Sequence, residues 1–358
     1  MRFNMINVLF FGPDINDESL CGGQVTHVKN IVNLFGEHEK VSVSSLASSG
    51  GNHDNEYFYK KVFRLIRVAV WLFVNCKEYD VFHINSTFDN RSLVRDGIFI
   101  SILILKGKKY FVQFHGGEPE RASILKFRLF NSLMKKLLSE SSKLLVLTDN
   151  QMNSVKRYIG CESELVSNFL DYEPEVEDKN INTVPTFLFL ARVDKKKGIY
   201  ELLDAVHSLS DINIKLLIAG SGPDLNDVRS RVLKLGLDER VEFTGFVQGD
   251  DKTAVYRSAD FFILPSYEEA FPYSVLEAQS FGLPVVATKV GSLEKIISDG
   301  SNGFLIEPQD SHSISKVMRA LVSESHLYPE LSRSSFTNSL RYSRGAMEKT
   351  FISLWKLS

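Results

Sequence analysis

Cysteine is scarce in this sequence. The 358 residues contain three, far apart and odd in number: Cys21, Cys76 and Cys161. That pattern argues against a disulfide framework and a CxxC metal site, and it favours a reducing cytoplasm in which each cysteine is a buried thiol. Long hydrophobic runs are also missing, since the longest, 98–105 and 68–74, fall far short of the ~18 apolar residues of a membrane-spanning helix. The first apolar run, 6–11, lacks a small-residue cleavage site and predicts a buried strand instead of a signal peptide.

A large excess of charge of either sign is absent as well. The 42 Lys and Arg residues nearly balance the 44 Asp and Glu residues, and the formal net charge is -2. This excludes a protein whose main partner is bulk nucleic acid. Only 10 residues are proline, while 44% are hydrophobic and 24% are charged. Such a composition excludes disordered and fibrous classes, and the length predicts two globular domains of about 150 residues.

Short apolar runs alternate along the chain with longer mixed segments, a pattern typical of parallel strands joined by helical crossovers. Strands are predicted at 6–11, 41–46, 81–85, 110–114 and 143–148 in the first half, and at 186–191, 214–219, 241–244, 261–264, 284–288 and 304–306 in the second. This predicts the α/β class, with two doubly wound, Rossmann-like domains that face each other across a cleft.

The domain boundaries follow from changes in composition. We expect an N-terminal domain over 1–172 and a C-terminal domain over 186–340. Between them, Glu, Asp, Asn and Pro replace the apolar periodicity over 173–185, which is typical of an exposed linker. The last segment, 341–358, is predicted to be an amphipathic helix that packs back toward the N-terminal domain.

Basic residues concentrate within the first domain. Positions 58–136 hold 15 basic and 6 acidic residues, interleaved with aromatic and aliphatic ones. On a helix, Lys60, Arg64 and Arg67 fall on one stripe, together with Lys61 and beside Trp71, a residue type that settles at the level of lipid headgroups. Two interpretations stay open: a solvated outer face of the helix, or a peripheral contact with anionic lipid.

The densest group of polar residues is 265–278, which runs from an apolar strand into a helix. Pro272 is expected at the first helical position and Gly282 just past the helix end. A helix that begins after a parallel strand offers free backbone amides to an anion. Glu269 and Glu277 flank this position, and together they suit the binding of hydroxyl groups, although either glutamate alone is typical of an exposed helix charge.

Two other loops of the second half carry residues that suit a phosphate ligand. Arg192 offers a planar fork and Lys197 a point charge, a pair that fits a diphosphate, whereas a three-lysine run alone is typical of a solvated loop. Gly220 and Gly222 form a small-residue turn that lets a ligand approach the backbone, without the dinucleotide GxGxxG spacing.

Two features of the first half of the sequence also suit a ligand-binding site. Gly22 and Gly23 follow the first strand, where adjacent glycines permit either close approach of a phosphate or a tight turn. His115 stands at the carboxyl end of an apolar strand, where open sheets place their ligands. A lone histidine is more often structural, but this position favours a functional role.

Together these residues resemble the retaining glycosyltransferases of family 4, which have the GT-B fold. The resemblance covers most of the chain and is strongest over 187–308. It rests on the E-x7-E pair Glu269 and Glu277, on the sequence Gly-Leu-Pro-Val-Val-Ala-Thr at 282–288, and on the elements at 192–198, 220–223 and 243–247.

The resemblance implies a role for each matching residue. Arg192 and Lys197 would bind the diphosphate of a nucleotide-sugar, and Glu277 the ribose hydroxyls. Glu269 would hold the transferred sugar, with His115 close to it. The other implied donor-binding residues are Gly22, Gly23, Gly220, Gly222, Phe246, Val247, Ala270, Phe271 and Tyr273. Pro272 departs from the small residue common in the family and removes one amide donor from the sugar pocket.

The implied activity is a retaining transfer of a hexosyl or N-acetylhexosaminyl group, with a UDP-sugar favoured over a GDP-sugar. We expect neither a metal nor a cofactor, because the cations and the helix amino end can neutralise the leaving diphosphate. The basic first domain favours a lipid-linked glycan acceptor in cell-surface polysaccharide or lipopolysaccharide assembly, at the inner face of the plasma membrane. The alternatives are a GT-B nucleotide-sugar epimerase and a non-catalytic protein that binds a nucleotide-sugar.

Overall fold

The computed structural model describes residues 5–17, 22–49, 58–175 and 180–356. These residues form two units. The first comprises the described residues up to Asp171 together with those from Arg344 onward, and the second comprises Tyr172–Ser343. Each unit contains one six-stranded sheet in which every pair of neighbouring strands is parallel.

The elements are numbered in chain order. The strands are β1 (Ile6–Pro13), β2 (Val41–Ser49), β3 (Val81–Ser86), β4 (Lys109–Phe114), β5 (Lys143–Val146), β6 (Glu164–Leu165), β7 (Thr186–Leu190), β8 (Lys215–Ala219), β9 (Val241–Gly245), β10 (Phe261–Leu264), β11 (Val285–Thr288) and β12 (Gly303–Ile306). The α-helices are α1 (Gly23–Phe35), α2 (Phe58–Asn75), α3 (Asn90–Leu105), α4 (Arg128–Ser139), α5 (Asp149–Ser154), α6 (Ile199–Ser208), α7 (Leu225–Lys234), α8 (Gly249–Ser258), α9 (Tyr273–Ser280), α10 (Leu293–Ile296), α11 (Ser311–Ser323), α12 (Tyr328–Ser339) and α13 (Arg344–Lys356).

The first sheet has the order β2-β1-β3-β4-β5-β6 and a hydrophobic core on each face. Successive side chains of a strand point to opposite faces. In β1, Leu9 and Phe11 therefore join the core beneath α2, α3 and α4, while Val8 and Phe10 join the core beneath α1 and α13. Because both faces are covered, the central strands are buried along most of their length, including polar side chains such as His83 and Asn85 on β3.

The second sheet has the order β12-β11-β10-β7-β8-β9. The chain starts in the middle with β7, adds β8 and β9 on one side, and then returns to add β10, β11 and β12 on the other. This is the strand order of a Rossmann-type sheet, and it reverses between β7 and β10. In the first sheet the corresponding reversal lies between β1 and β3.

The prediction of two doubly wound α/β domains is confirmed, and every predicted strand has a counterpart in the sheets. Only β6 was not predicted, because its two residues are exposed and form no apolar run. Cys76 and Cys161 are buried free thiols, whereas Cys21 lies outside the described residues.

The second unit begins earlier than the predicted domain, at Tyr172, and so contains the described part of the segment expected as a linker. Asn182 anchors this segment: its backbone amide donates to Asp260 Oδ1 at 3.0 Å and its side chain donates to Asp260 Oδ2 at 3.0 Å. Asp260 is fully buried. At Asn182, the polar composition of this segment thus reflects specific hydrogen bonds within the second unit.

Helix α13 closes the first unit. Met347, Phe351 and Trp355 are buried in the same core as α1, and Trp355 Nε1 donates to His83 Nδ1 on β3 at 3.3 Å. Among the helices within the described ranges, none combines the length and the apolar character needed to cross a bilayer.

Candidate functional site

The carboxyl ends of β7 and β10 are adjacent, at the point where the strand order of the second sheet reverses. Open α/β sheets bind their ligands at such a reversal. The loop after β7 carries Arg192 and Lys197, and the loop after β10 carries Glu269. The fold therefore brings three of the predicted site residues to one edge of the sheet.

Hydrogen bonds fix the loop that follows β7. Tyr267 N, from the loop after β10, donates to Lys196 O at 2.8 Å. Asp194 Oδ1 accepts from Lys196 N at 2.9 Å, and Asp224 Oδ2 accepts from Lys195 N at 2.6 Å. The backbone of the three-lysine run is therefore held in place by Asp194 of the same loop and by two neighbouring segments, unlike that of a freely solvated loop.

Glu269 is held by one ammonium group and one hydroxyl group. Its Oε1 lies 2.6 Å from Lys197 Nζ and accepts from Ser266 Oγ at 2.8 Å. Ser266 is itself buried, and its carbonyl accepts from Thr288 Oγ1 on β11 at 2.6 Å. Only 9% of the Glu269 side chain is exposed. The ion pair thus fixes a carboxylate and a cation beside each other in a partly desolvated position.

Glu277, on α9, has the same kind of partners. Its Oε1 lies 2.6 Å from Lys252 Nζ, and its Oε2 accepts from Tyr256 OH at 2.7 Å. Burial, and then the nearby Glu277 carboxylate, raises the pKa of Tyr256 well above its usual value, so the phenol keeps its proton. Both glutamates of the pair are therefore oriented by one ammonium group and one hydroxyl group, with lone pairs left for further hydrogen-bond donors.

Lys252 and Tyr256 were not predicted from the sequence. They lie four residues apart on α8, on one helix face, but nothing in the sequence relates that face to Glu277 on α9. A basic residue and an aromatic residue at this spacing are common on any helix.

Cationic groups and free amides stand beside the glutamates. Arg192 is exposed, and no hydrogen-bond or ion-pair partner of its guanidinium occurs in the described part of the chain. Helix α9 begins at Tyr273, and no described side chain caps its amino end. The first amides of a helix have no partner inside the helix and carry its positive dipole end. This combination suits phosphate oxygens.

The sequence predicted Pro272 at the first helical position. In the structure it lies one residue before α9. Its backbone is extended, with ψ 122°, and its carbonyl accepts from Val275 N at 3.3 Å. Phe271 and Tyr273 are buried on either side of it, and Phe271 packs edge-on against Tyr342. Their predicted contact with a donor would therefore be made by the backbone.

The glycines of the second unit allow the loops to approach each other. A Cβ atom on Gly220 would lie 2.0 Å from Ala191 O, and one on Gly222 would lie 2.1 Å from Val193 O. At Gly198, where φ is 71°, a Cβ would lie 2.0 Å from Pro265 O. The close packing of the loops is by itself a sufficient reason for glycine at these three positions. The donor-binding role of Gly220 and Gly222 stays a prediction.

Phe246 and Val247 directly follow β9, the edge strand of the second sheet. The Phe246 side chain is 54% exposed, which is unusual for a phenylalanine and leaves a ring face available at this edge. Ala270 lies in the loop after β10, where its carbonyl accepts from Ser292 N at 3.0 Å.

The remaining predicted residues lie in the first unit. Gly22 precedes α1 with φ 122° and has open space around its Cβ position, and Gly23 opens the helix. His115 follows β4, and its Nε2 lies 2.7 Å from Asn85 Oδ1. Burial, and then the nearby His83, lowers the pKa of His115 to about 3, so its ring is neutral at cellular pH.

Within the described ranges, no group of three or more His, Cys, Asp or Glu side chains is placed to hold a metal ion. Positive charge at the edge of the second sheet comes from Arg192, from the three lysines at 195–197 and from the amino end of α9. Such an arrangement suits a phosphorylated ligand that also carries hydroxyl groups.

Comparison with known proteins shows a family to which the second half of the chain is similar. Residues 171–336 match the family described as glycosyl transferases, group 1. This part of the chain is therefore similar to group 1 glycosyl transferases. Its limits coincide closely with the second unit, and it contains Glu269, Glu277, Arg192 and Lys197. The predicted resemblance to glycosyltransferases is thereby confirmed.

Curated proteins are similar to part of the chain. A glycosyltransferase of Methanocaldococcus jannaschii is 39% identical over 128 residues, which is 36% of this chain and 33% of that protein. The chain spans about a third of the length of the curated relatives that it matches.

Solved structures are similar over the whole chain. Sucrose-phosphate synthase from Thermosynechococcus elongatus has a TM-score of 0.75 with 18% identity, over 98% of both chains. Anabaena HepE in complex with UDP-glucose has a TM-score of 0.74 with 16% identity, over 97% of this chain and 98% of that one. The likeness shows that the chain has the GT-B fold of these proteins, as predicted.

Proposed function

We propose that the protein transfers a sugar from a nucleotide-sugar to a glycan acceptor with retention of anomeric configuration. The observation that carries this proposal is the pair Glu269 and Glu277, each oriented by one lysine and one hydroxyl group, in a unit whose loop at the reversal of the second sheet also carries the exposed Arg192. A sugar, a ribose and a diphosphate are the parts of a nucleotide-sugar that such a site matches. A UDP-sugar is favoured, since the structurally similar HepE binds UDP-glucose.

Each group has a role in this scheme. Arg192, Lys197 and the amides at the start of α9 bind the diphosphate, and Glu277 accepts hydrogen bonds from the ribose. Glu269 accepts from the hydroxyls of the transferred sugar, and the backbone at Phe246 and Val247 faces the base. These interactions hold the donor while the bond between the anomeric carbon and the phosphate oxygen weakens.

The chemical step needs no group on the protein that attacks the sugar. Glu269 is committed to Lys197 and Ser266, so we do not assign it as a nucleophile. The bond from the anomeric carbon to the diphosphate breaks, and the bond to the acceptor oxygen forms on the same face of the sugar. The acceptor hydroxyl proton passes to the leaving diphosphate, whose charge is stabilised by the cations without a metal or a cofactor.

A panel of UDP- and GDP-sugars tests the proposal. We expect a UDP-sugar to raise the melting temperature most, and we expect the purified protein to release nucleoside diphosphate only when a glycan acceptor is present. A chelator should leave the rate unchanged. Conversion of the donor sugar without an acceptor would support an epimerase, and binding without turnover would support a non-catalytic protein. Loss of activity in EDTA that Mg2+ restores would contradict the metal-free scheme.

We further propose that the first unit contacts an anionic membrane, which would supply a lipid-linked acceptor at the inner face of the plasma membrane. Helix α2 carries an apolar stripe at helical spacing along its length, with half or more of each side chain exposed: Tyr59, Phe63, Ile66, Val70 and Phe73. On α4, which packs on the same core as α2, Leu129 is 88% exposed. An apolar stripe of this extent is typical of a helix that lies in the interface of a bilayer.

The basic side chains complement this stripe. Lys60 and Arg67 are exposed, while Lys61 and Arg64 are partly buried, and α2 contains no acidic residue. Trp71, which was predicted to lie beside the basic stripe at the headgroup level, is partly buried. It lies three residues after the buried Val68 and packs against the core, with its ring 6.4 Å from that of Tyr79.

Vesicle co-sedimentation tests the membrane contact. We expect the wild type to pellet with anionic vesicles at low salt, and a variant with Lys60, Lys61, Arg64 and Arg67 changed to Gln to lose most of this binding. Each charge contributes up to ~1 kcal/mol, so partitioning changes by about a thousandfold at most. The matched control changes four exposed cations of the second unit to Gln: Lys234, Lys316, Arg333 and Arg341. Equal pelleting of wild type and the α2 variant, or no pelleting of the wild type, would argue against the contact.

A further inference from the structure

The side chain of Asn85 connects the ends of three neighbouring strands in the first unit. It lies on β3 and is only 2% exposed. Its Nδ2 donates to Phe11 O on β1 at 2.6 Å, and its Oδ1 lies 2.7 Å from Nε2 of His115, which follows β4. A backbone carbonyl can only accept, so the amino group of Asn85 must face Phe11, and its oxygen must face His115.

This arrangement determines where His115 carries its proton. The amide oxygen of Asn85 can only accept, so Nε2 of His115 must donate. A neutral imidazole with its proton on Nε2 has an unprotonated Nδ1 with a free lone pair. No group in the described part of the chain forms a hydrogen bond with this Nδ1.

The titratable groups near His115 also favour the neutral ring. The His27 ring, on α1, lies 4.3 Å from that of His115, and His27 and His83 are both fully buried. Burial lowers the pKa of His27 well below its usual value and that of His83 to about 3. A positive charge on His115 would therefore have no compensating carboxylate among these neighbours.

We propose that Asn85 is a positioning residue that fixes His115 as the Nε2–H tautomer, so that its Nδ1 keeps a lone pair free to accept a hydrogen bond. That this lone pair takes part in the reaction rests on the proposed function. An unprotonated ring nitrogen attracts the proton of a hydrogen-bond donor and repels the oxygens of a phosphate or carboxylate.

Nuclear magnetic resonance tests the tautomer directly in the full-length protein with 15N-labelled histidine. We expect His115 of the wild type to show an unprotonated Nδ1 and a protonated Nε2. Asn85→Asp keeps an acceptor and should keep this pattern at high pH. Asn85→Leu has no acceptor and should shift both ring nitrogens toward values averaged over the two tautomers.

A matched control separates the tautomer from general loss of stability. Asn30→Leu removes a buried hydrogen bond of the same kind, from Asn30 Nδ2 to Phe169 O at 2.7 Å, in the same unit. It should leave the His115 spectrum unchanged. A wild-type His115 protonated on Nδ1, or an Asn85→Leu spectrum like that of the wild type, would overturn the assignment.

Kinetics then test the role of the lone pair. We expect Asn85→Leu to lower kcat/KM about tenfold, which corresponds to the contribution of roughly one oriented hydrogen bond. Asn30→Leu should change kcat/KM far less. In Asn85→Asp the carboxylate raises the pKa of His115, so activity should fall on the acid side, where the doubly protonated ring has no lone pair. The wild type should lack this acid limb.

These measurements separate two kinds of failure. If no sugar donor supports turnover, the proposed function fails, but the spectra still decide whether Asn85 sets the tautomer. If transfer occurs and Asn85→Leu and Asn85→Asp keep the wild-type rate and pH profile, the positioning role is refuted while the proposed function stands.

Discussion

Replacing Lys197 by alanine is expected to lower turnover on the order of 100- to 1,000-fold. The ammonium group neutralises charge that develops on the leaving diphosphate, and such an interaction contributes roughly 3 to 4 kcal/mol to the transition state. The loss should be at least as large as for Arg192→Ala, because Lys197 also balances Glu269 at 2.6 Å. Without the lysine, an unpaired carboxylate would face the diphosphate.

Steady-state kinetics with a saturating donor would measure the effect. The controls are Lys195→Ala and Lys196→Ala, which remove exposed charges of the same loop and should change turnover only slightly. If these two variants lose as much activity as Lys197→Ala, the loop acts through its overall charge, and the specific role of Lys197 is wrong.

The roles of the two glutamates should be distinguishable when the binding of the sugar donor is compared with that of the nucleoside diphosphate. Glu277→Ala is expected to weaken binding of both, since its partner is the ribose that both contain. Glu269→Ala should weaken only the complete sugar donor. A hydrogen bond to a charged acceptor contributes about 1.5 to 3 kcal/mol, so each loss should be roughly 10- to 150-fold in Kd.

Calorimetric titration of both variants with both ligands checks this division. Glu294→Ala serves as the control, because this exposed glutamate of the second unit lies on α10, outside the E-x7-E pair. Equal losses for the two ligands in both variants would contradict the separate roles of Glu269 and Glu277. The ion pair between Lys252 and Glu277 supplies a further check. Lys252→Ala should weaken binding of both ligands, as Glu277→Ala does, but by a smaller factor.

The sequence predicted the fold well because the strands are buried on both faces. Most of the central strands contain a short apolar run, as in 261–264, and polar or glycine-rich segments follow it. The parallel arrangement of the strands also allowed the site to be predicted. In a parallel sheet the residue after each strand lies at one edge, so Arg192, Lys197 and Glu269 could be grouped before their distances were known.

Partners on different elements could not be predicted in this way. Lys252 precedes Glu277 by 25 residues and Asn85 precedes His115 by 30, and no local periodicity relates such positions. Which side chains meet depends on how two helices or two strands are aligned. Trp71 shows the same limit on a single helix, since spacing placed it beside the basic stripe but packing turned it toward the core.

The position of α13 affects the order in which the chain can fold during synthesis. The first unit needs Phe351 and Trp355 to complete one of its two cores, and these residues leave the ribosome only after the whole second unit has emerged. Until then, the face of the first sheet that carries Phe10 and Phe111 is only partly covered, so the nascent chain presents apolar surface that chaperones recognise. The second unit is continuous in sequence and can fold first, although it is translated later. The amino-terminal half of this protein is therefore the last part to reach its final structure.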